Sequence, residues 1–342
     1  QNQTLEGGFN VSSRNTPVGV ILHGSTPPEE LIGLSQLVET SGFDQLWLSE
    51  DYFFLGGISS TVAALQATKN IPVGLGIISS VVRHPAVTAM EIATTARLFP
   101  NRLMAGIGHG VPAWTQQMGV YPSSPLTAMR EAVTAIRRLL DGETLTEDGD
   151  YFSFQDVVLT HPAEGVPLYC GVIGPKSLEF SGEVADGTVI SVVAAPRYLE
   201  FAKEAIARGA AISGKDPTGH QLPTFALYNV AADRERARAA AKGVLAFYLA
   251  AVGPTAMTGV YGVNEELADM VARGGPDTVE AEMPDEWLDT FAIAGEPDEC
   301  AEKISALHEA GATSVVLAPV PPDDGRDREM IELTALSVLP LL

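Results

Sequence analysis

Short apolar runs alternate with longer amphipathic stretches along almost the whole chain. Residues 18–22 read as a strand, 28–41 as a helix ending at Gly42, 45–49 as a strand and 59–68 as a helix. The rhythm continues with a strand at 73–78, a helix at 86–99, a strand at 103–107 and a helix at 126–140, closed by Asp141-Gly142. Repeated strand–helix units at this spacing imply parallel pairing with right-handed crossovers. Residues 151–159 alternate between turn residues and predict a small extra hairpin. The main rhythm resumes with strands at 168–172, 188–193, 224–231 and 314–317. Helices are expected at 176–185, 196–211, 298–310 and 329–341, with a helical insert from Arg234 to about Ala272. Eight core strands predict an α/β fold, a TIM-like (β/α)8 barrel with insertions. An open doubly wound sheet fits less well, because no pyrophosphate-binding GxGxxG follows the first strand.

The division expected from this pattern is an N-terminal arm over 1–16 and a single barrel domain over 17–342, with a helical insertion at about 234–290. The stretch 253–286 is rich in Gly, Pro, Asp and Glu and is read as packing near the barrel mouth. The chain carries 21 basic against 43 acidic side chains, a net charge of −22. Such a field repels nucleic acid and anionic membranes. No run approaches the roughly 18 apolar residues of a membrane span, and no basic-then-apolar segment opens the chain. Cys170 and Cys300 form no CxxC pair; both are read as buried thiols of a reducing cytoplasm.

The most informative segments are IPVGLGIISSVVRHP, from Ile71, and NRLMAGIGHG, from Asn101. Each is an apolar strand that ends in glycines and small polar residues, where a backbone can approach a flat or phosphorylated ligand. In a barrel the site lies at the carboxyl ends of the strands. Those ends supply His23-Gly24-Ser25, the adjacent carboxylates Glu50 and Asp51 with Tyr52, Gly76 to Ser80, Gly106 to Gly110, Gly171 to Lys176, and Ser191 to Ala194. One of Glu50 and Asp51 is a candidate proton carrier, its pKa raised by the other's charge; the alternative is that one caps the next segment and the other is solvated. His23 is a further acid/base candidate, and His109, between two glycines, suits a ligand loop. His84, before Pro85, reads as structural. Gly174-Pro175-Lys176 opens a helix whose free amides, with Lys176, suit a phosphate. No metal is expected, because no HExxH or Cys/His cluster occurs. The absence of GxSxG argues against a serine hydrolase.

Taken together, GFDQLWLSEDYF, GLGIISSVVRHPAVTAMEIATT, NRLMAGIGHG, VPLYCGVIGPKSLEFSGEVADGTVIS, AAAKGVLAFYLAAVGP and AGEPDECAEKISALHEAGATSVVLAPV resemble the bacterial luciferase-like superfamily of flavin and deazaflavin enzymes. The likeness is greatest to its branch of methylenetetrahydromethanopterin reductases, which use coenzyme F420. The resemblance implies a barrel, a homodimer and hydride transfer between F420 and a small-molecule substrate. It implies a non-prolyl cis peptide at Gly76–Ile77 buttressing the ring, with Ser79 beside it. It places Glu50 against the deazaflavin, Gly108, His109 and Gly110 beside the ring or phosphate, and the backbone of Val172, Ile173, Gly174 and Pro175 around the phosphate. Two positions depart from the pattern. Asp51 stands where the family often has a histidine, and Ile21 where the reductases carry a strand-one glutamate. Two other readings remain open: an FMN-dependent monooxygenase of the same superfamily, and a non-catalytic flavin-binding protein. For a sugar-phosphate substrate the sequence offers Arg197, Lys203 and Lys215 as cations.

Overall fold

The computed structural model describes residues 16–321 and 325–342; the expected arm, apart from Thr16, lies outside them. In chain order the strands are β1 (Val18–Leu22), β2 (Gln45–Leu48), β3 (Val73–Ser79), β4 (Leu103–Gly108), β5 (Leu145–Asp148), β6 (Ser153–Val157), β7 (Leu168–Gly171), β8 (Gly187–Val189), β9 (Pro223–Val230), β10 (Ala292–Gly295) and β11 (Ser314–Pro319). The main sheet runs β10-β9-β11-β1-β2-β3-β4-β7-β8, and every pairing in it is parallel. Backbone bonds from Thr188 N–H to Gln221 O (2.8 Å), Ile190 N–H to Pro223 O (2.9 Å) and Phe225 N–H to Ile190 O (2.9 Å) join β8 to β9. The sheet therefore closes through the eight strands expected, as a TIM-like barrel. β10 is an extra short strand on the outer part of β9.

Near-continuous burial along β1, β4, β9 and β11 is what a strand covered on both faces requires. Inside the barrel, Trp47 is fully buried. Its ring meets Phe225 at 5.4 Å and Tyr169 at 6.0 Å, edge to face in both cases. β3 passes this indole so closely that a β-carbon on Gly74 would lie 2.2 Å from it. Only glycine lets the strand and the indole coexist. On the outside, the helix Pro125–Leu140 buries one stripe that includes Met129, Val133, Ile136 and Leu140. Six of the described helices open on a proline. Its fixed φ and missing N–H suit the first helical turn.

Four expectations need correction. The small hairpin is β5–β6, so its turn falls at residues 149–152, where Glu131 accepts the amides of Asp150, Tyr151 and Phe152. The strand expected at 188–193 ends at Val189, with Ile190 still bridged to Thr224, and the chain turns away at Val193 through a positive φ. The insert is not one helix. Arg234–Val252 stops at Gly253 (φ +69°), Ala256–Gly259 follows, and Asn264–Glu282 kinks at Gly274 and Gly275 before Asp285–Phe291. The Gly- and Pro-rich stretch is therefore largely helical. β10 was not expected at all; its four small and aliphatic residues are too short a run to declare a strand. Among the described residues no helix is long and apolar enough to cross a membrane.

Candidate active site at the barrel mouth

β2 delivers Glu50 and Asp51 to the carboxyl edge, and they meet different surroundings. Glu50 is 6% exposed. Arg83 grips both its oxygens, Nη1 to Oε1 at 2.6 Å and Nη2 to Oε2 at 2.7 Å. The Tyr52 hydroxyl donates to Oε1 at 2.9 Å and the Gly57 amide to Oε2 at 3.0 Å. Gly57 opens the helix Gly57–Ala67. The carboxylate thus caps a helix, pairs the one cation of the β3 loop and fixes a phenol. All its acceptor directions are occupied by the chain's own donors. This is the geometry of a positioning residue rather than of a proton carrier. The bond to Glu50 pushes Arg83 further up from its already high pKa. Burial, reinforced by the charge of Glu50, pushes the Tyr52 phenol up, so it keeps its proton.

Asp51 is left as the candidate proton carrier. Burial raises its pKa, against the opposing effect of nearby His23. His23 follows β1, and its Nε2 lies 2.8 Å from the carbonyl of Pro319 at the end of β11. A β-carbon on Gly24 would lie 3.5 Å from both Asp51 Cβ and Ser49 Oγ, so the β1 and β2 loops are in contact here. From the insert, Tyr248 comes within electrostatic reach of Asp51, its phenol raised by burial and by that charge.

The next strand carries the expected irregularity. The Gly76–Ile77 peptide is cis, and the register of β3 against β4 shifts between Leu75 and Ile78. The bulge sends the Ile77 side chain across the barrel end, over three glycines. A β-carbon would lie 2.9 Å from it at Gly106 and 2.7 Å from it at both Gly108 and Gly171. Gly108 is therefore glycine because Ile77 needs the space, a packing reason that strand-end position alone did not reveal. Beyond it, Ser79 donates to the His109 carbonyl at 3.1 Å, and Gly110 turns the chain with φ +75°. His109 Nε2 lies 3.3 Å from Ser177 Oγ, which links the β4 loop to the next helix. Burial lowers its pKa, so the imidazole is held neutral. Its buried Nδ1 has no hydrogen-bond partner among the described residues.

That next helix, Pro175–Val184, follows Val172, Ile173 and the N-cap Gly174. The Tyr198 hydroxyl donates to the Ile173 carbonyl at 2.8 Å and fixes the loop. The first intrahelical bond is Leu178 N–H to Gly174 O, so the amides of Lys176 and Ser177 precede it. A β-carbon on Gly174 would meet nothing within 4 Å, and Pro175 and Lys176 are exposed. The open approach, the helix N-terminus, the lysine and the orphan Nδ1 of His109 fit a flat, phosphorylated cofactor. His84 is structural, as expected: its Nδ1 accepts from Ala86 N–H as a helix cap. Sequence reasoning missed Arg83, Ser177 and Tyr198, and reached Tyr52 only as the neighbour of the two carboxylates. Arg83 had a signal, as the one cation in the loop facing paired carboxylates; the others had none.

The family described as luciferase-like monooxygenases matches residues 10–314. The chain belongs to the luciferase-like family. It is similar to the 5,10-methylenetetrahydromethanopterin reductase of Archaeoglobus fulgidus, 33% identical over 315 residues that cover 90% of this chain and 94% of that one. It is also similar to the F420-dependent glucose-6-phosphate dehydrogenase of Beutenbergia cavernae, 30% identical over 84% of this chain and 87% of that one. Among solved structures, the coenzyme F420-dependent tetrahydromethanopterin reductase of Methanopyrus kandleri superposes with a TM-score of 0.82. The identity there is 26%, covering 96% of this chain and 99% of that one. The chain is thus an oxidoreductase of the luciferase-like superfamily.

Proposed function

We propose that the chain is an F420-dependent oxidoreductase that passes a hydride between the deazaflavin and an organic small molecule. The observation that carries this reading is the β3 bulge at the barrel mouth, where the register against β4 shifts between Leu75 and Ile78 and Ile77 lies over Gly106, Gly108 and Gly171, set beside a helix N-terminus open to a phosphate. The F420-dependent relatives support it. When bound, the cofactor supplies the hydride chemistry. The chain's own residues do the rest. Ile77 would back the ring, with Ser79 and Gly110 holding the β4 loop. The amides before Leu178, with Lys176 and His109, would hold the phosphate. Glu50 positions Arg83, Tyr52 and the following helix. Asp51, kept protonated further up the pH scale than a free aspartate, handles the proton with His23 beside it. Two buried free thiols, each pushed up to about 12 by burial, fit a reducing cytoplasm. The exposed Val87, Met90 and Leu98 along the helix Pro85–Leu98 suit a homodimer.

A monooxygenase reading with FMN uses the same phosphate loop. The two separate on turnover. Reduced F420 consumed anaerobically with an organic acceptor supports the first, and oxygen uptake with reduced FMN supports the second. A protein that binds either cofactor without turnover is the non-catalytic alternative.

A further inference from the structure

The loop after Asp51 carries three aromatic residues in succession, and a fourth faces them from another strand end. Tyr52, Phe53 and Phe54 follow β2, while Trp114 stands on the short helix Pro112–Gln117 after β4. The Trp114 ring meets Tyr52 edge-on at 6.3 Å and 90°, and Phe54 at 6.4 Å and 68°. Tyr52 in turn meets Phe53 at 6.2 Å. Phe53 and Phe54 are 69% and 58% exposed, yet their loop is tied down. Phe54 N–H bonds Asp51 O at 3.0 Å, Leu55 N–H bonds Gly24 O at 3.3 Å, and the Tyr52 hydroxyl is held by Glu50. Rings fixed in this way, directly beyond Asp51, form a collar on the mouth.

Of the cations that a phosphorylated substrate could use, Arg83, Lys203 and Lys215 are committed elsewhere. Arg83 is locked on Glu50. Lys203 packs on Gly311, with Nζ toward the Ala310 carbonyl, at the turn before β11. Lys215 reaches the Ala185 carbonyl and lines a cleft with Asp186 and His220, at the turns before β8 and β9. Both lysines therefore sit at the amino-terminal end of the barrel, opposite the mouth. Arg197 lies with its guanidinium 5.4 Å from the centre of the Tyr261 ring. A phosphate dianion at the collar would face negative ring faces and Asp51 in a chain of net charge −22.

We propose that the collar of Tyr52, Phe54 and Trp114 is the substrate wall, and that the hydride partner is an uncharged molecule carrying a planar ring or conjugated system rather than a phosphorylated sugar. This rests on the oxidoreductase reading above. Benzylideneacetone, a neutral planar enone, and glucose-6-phosphate serve as probes of the full chain, with and without F420, by saturation-transfer NMR and calorimetric titration. Turnover with reduced F420 is followed in parallel: one hydride passes to the β carbon of the enone, one proton from solvent to the enolate, and the deazaflavin is oxidised. Benzylideneacetone is expected to bind in both states. Trp114→Ala is expected to weaken it about tenfold, equivalent to about 1.4 kcal/mol, with F420 affinity unchanged. Phe54→Leu, which keeps the loop apolar, is the second variant and is expected to weaken it several-fold. Glucose-6-phosphate binding more tightly than benzylideneacetone, or both variants retaining full affinity for the enone, overturns the proposal. Enone binding that survives while F420 fails to bind counts against the cofactor reading and leaves the collar standing.

Discussion

Arg83 holds both carboxylate oxygens of Glu50, at 2.6 and 2.7 Å, and this pair decides which of two neighbouring acids is free for chemistry. With Glu50 also bonded to Tyr52 and to the Gly57 amide, the charge at this strand end is built into the scaffold. Asp51 is the carboxyl that remains.

The pair predicts a particular pattern of stability. Glu50→Gln leaves Arg83 partly buried with only its longer contact to Glu91, at 3.7 Å, and breaking buried pairs costs about 3–5 kcal/mol. The Arg83 side chain is 25% exposed, so the expected loss is smaller, about 2–3 kcal/mol. Arg83→Gln alone should cost a similar amount, and the double variant clearly less than the sum. Chemical denaturation of the four proteins checks this. Strict additivity would show that the contact contributes nothing.

Asp51 carries the complementary prediction. Asp51→Asn is nearly isosteric and should lower turnover about a hundredfold, as loss of a general acid/base does, while F420 affinity and thermal stability hold. Burial raises the Asp51 pKa. A reaction that needs its proton should therefore weaken as pH rises through that raised value, and the variant should lose that limb of the profile. An unchanged profile in Asp51→Asn would move the proton role to His23.

Gly108 tests the bulge. Its added β-carbon would lie 2.7 Å from Ile77 Cδ1 and 2.8 Å from the Gly171 carbonyl oxygen. The Gly171 oxygen is backbone and holds its place, so the Ile77 side chain is the one that must give way. Gly108→Ala should cost about 1–3 kcal/mol of stability by overpacking and weaken F420 as Ile77 is displaced. Ile77→Val in the same chain removes Cδ1 and should restore part of both losses. Denaturation midpoints and cofactor titrations of the single and double variants are the readout.

At the far end of the barrel, His220 is a pH-sensitive element independent of the active site. Its Nε2 lies 2.8 Å from Thr188 Oγ1, and burial lowers its pKa to about 4. The unfolded imidazole takes up its proton near pH 6.5, whereas the folded one resists until about pH 4. Stability present at neutral pH is therefore lost as pH falls through that window, by about 3 kcal/mol. His220→Gln should flatten the slope between those pH values, measured by urea denaturation across the range.

How much of this was legible before the structure depends on the kind of signal. The eight barrel strands were readable because each is a compact apolar run between helices of matching length, as with Val18–Leu22 and Leu103–Gly108. Most helix starts marked by proline were readable, but the short helix Pro112–Gln117 was not expected. The insert was legible in outline but not in detail, because Gly253 and the Gly274–Gly275 pair break helices that periodicity alone would run together. At the site, position along a strand identified Glu50 and Asp51 but did not divide their roles. That division comes from Arg83, 33 residues away in sequence, and spacing carries no information about such a contact. The Trp114 collar was invisible for the same reason. Aromatic residues on two separate loops become a surface only when β2 and β4 are set on either side of β3.

The account rests on the cofactor, and a parallel titration of the purified chain with F420 and with FMN tests it most directly. The expectation is binding of F420 on the order of micromolar, with FMN at least about tenfold weaker, a difference of about 1.4 kcal/mol. Tighter binding of FMN, accompanied by oxygen-consuming turnover, would contradict it.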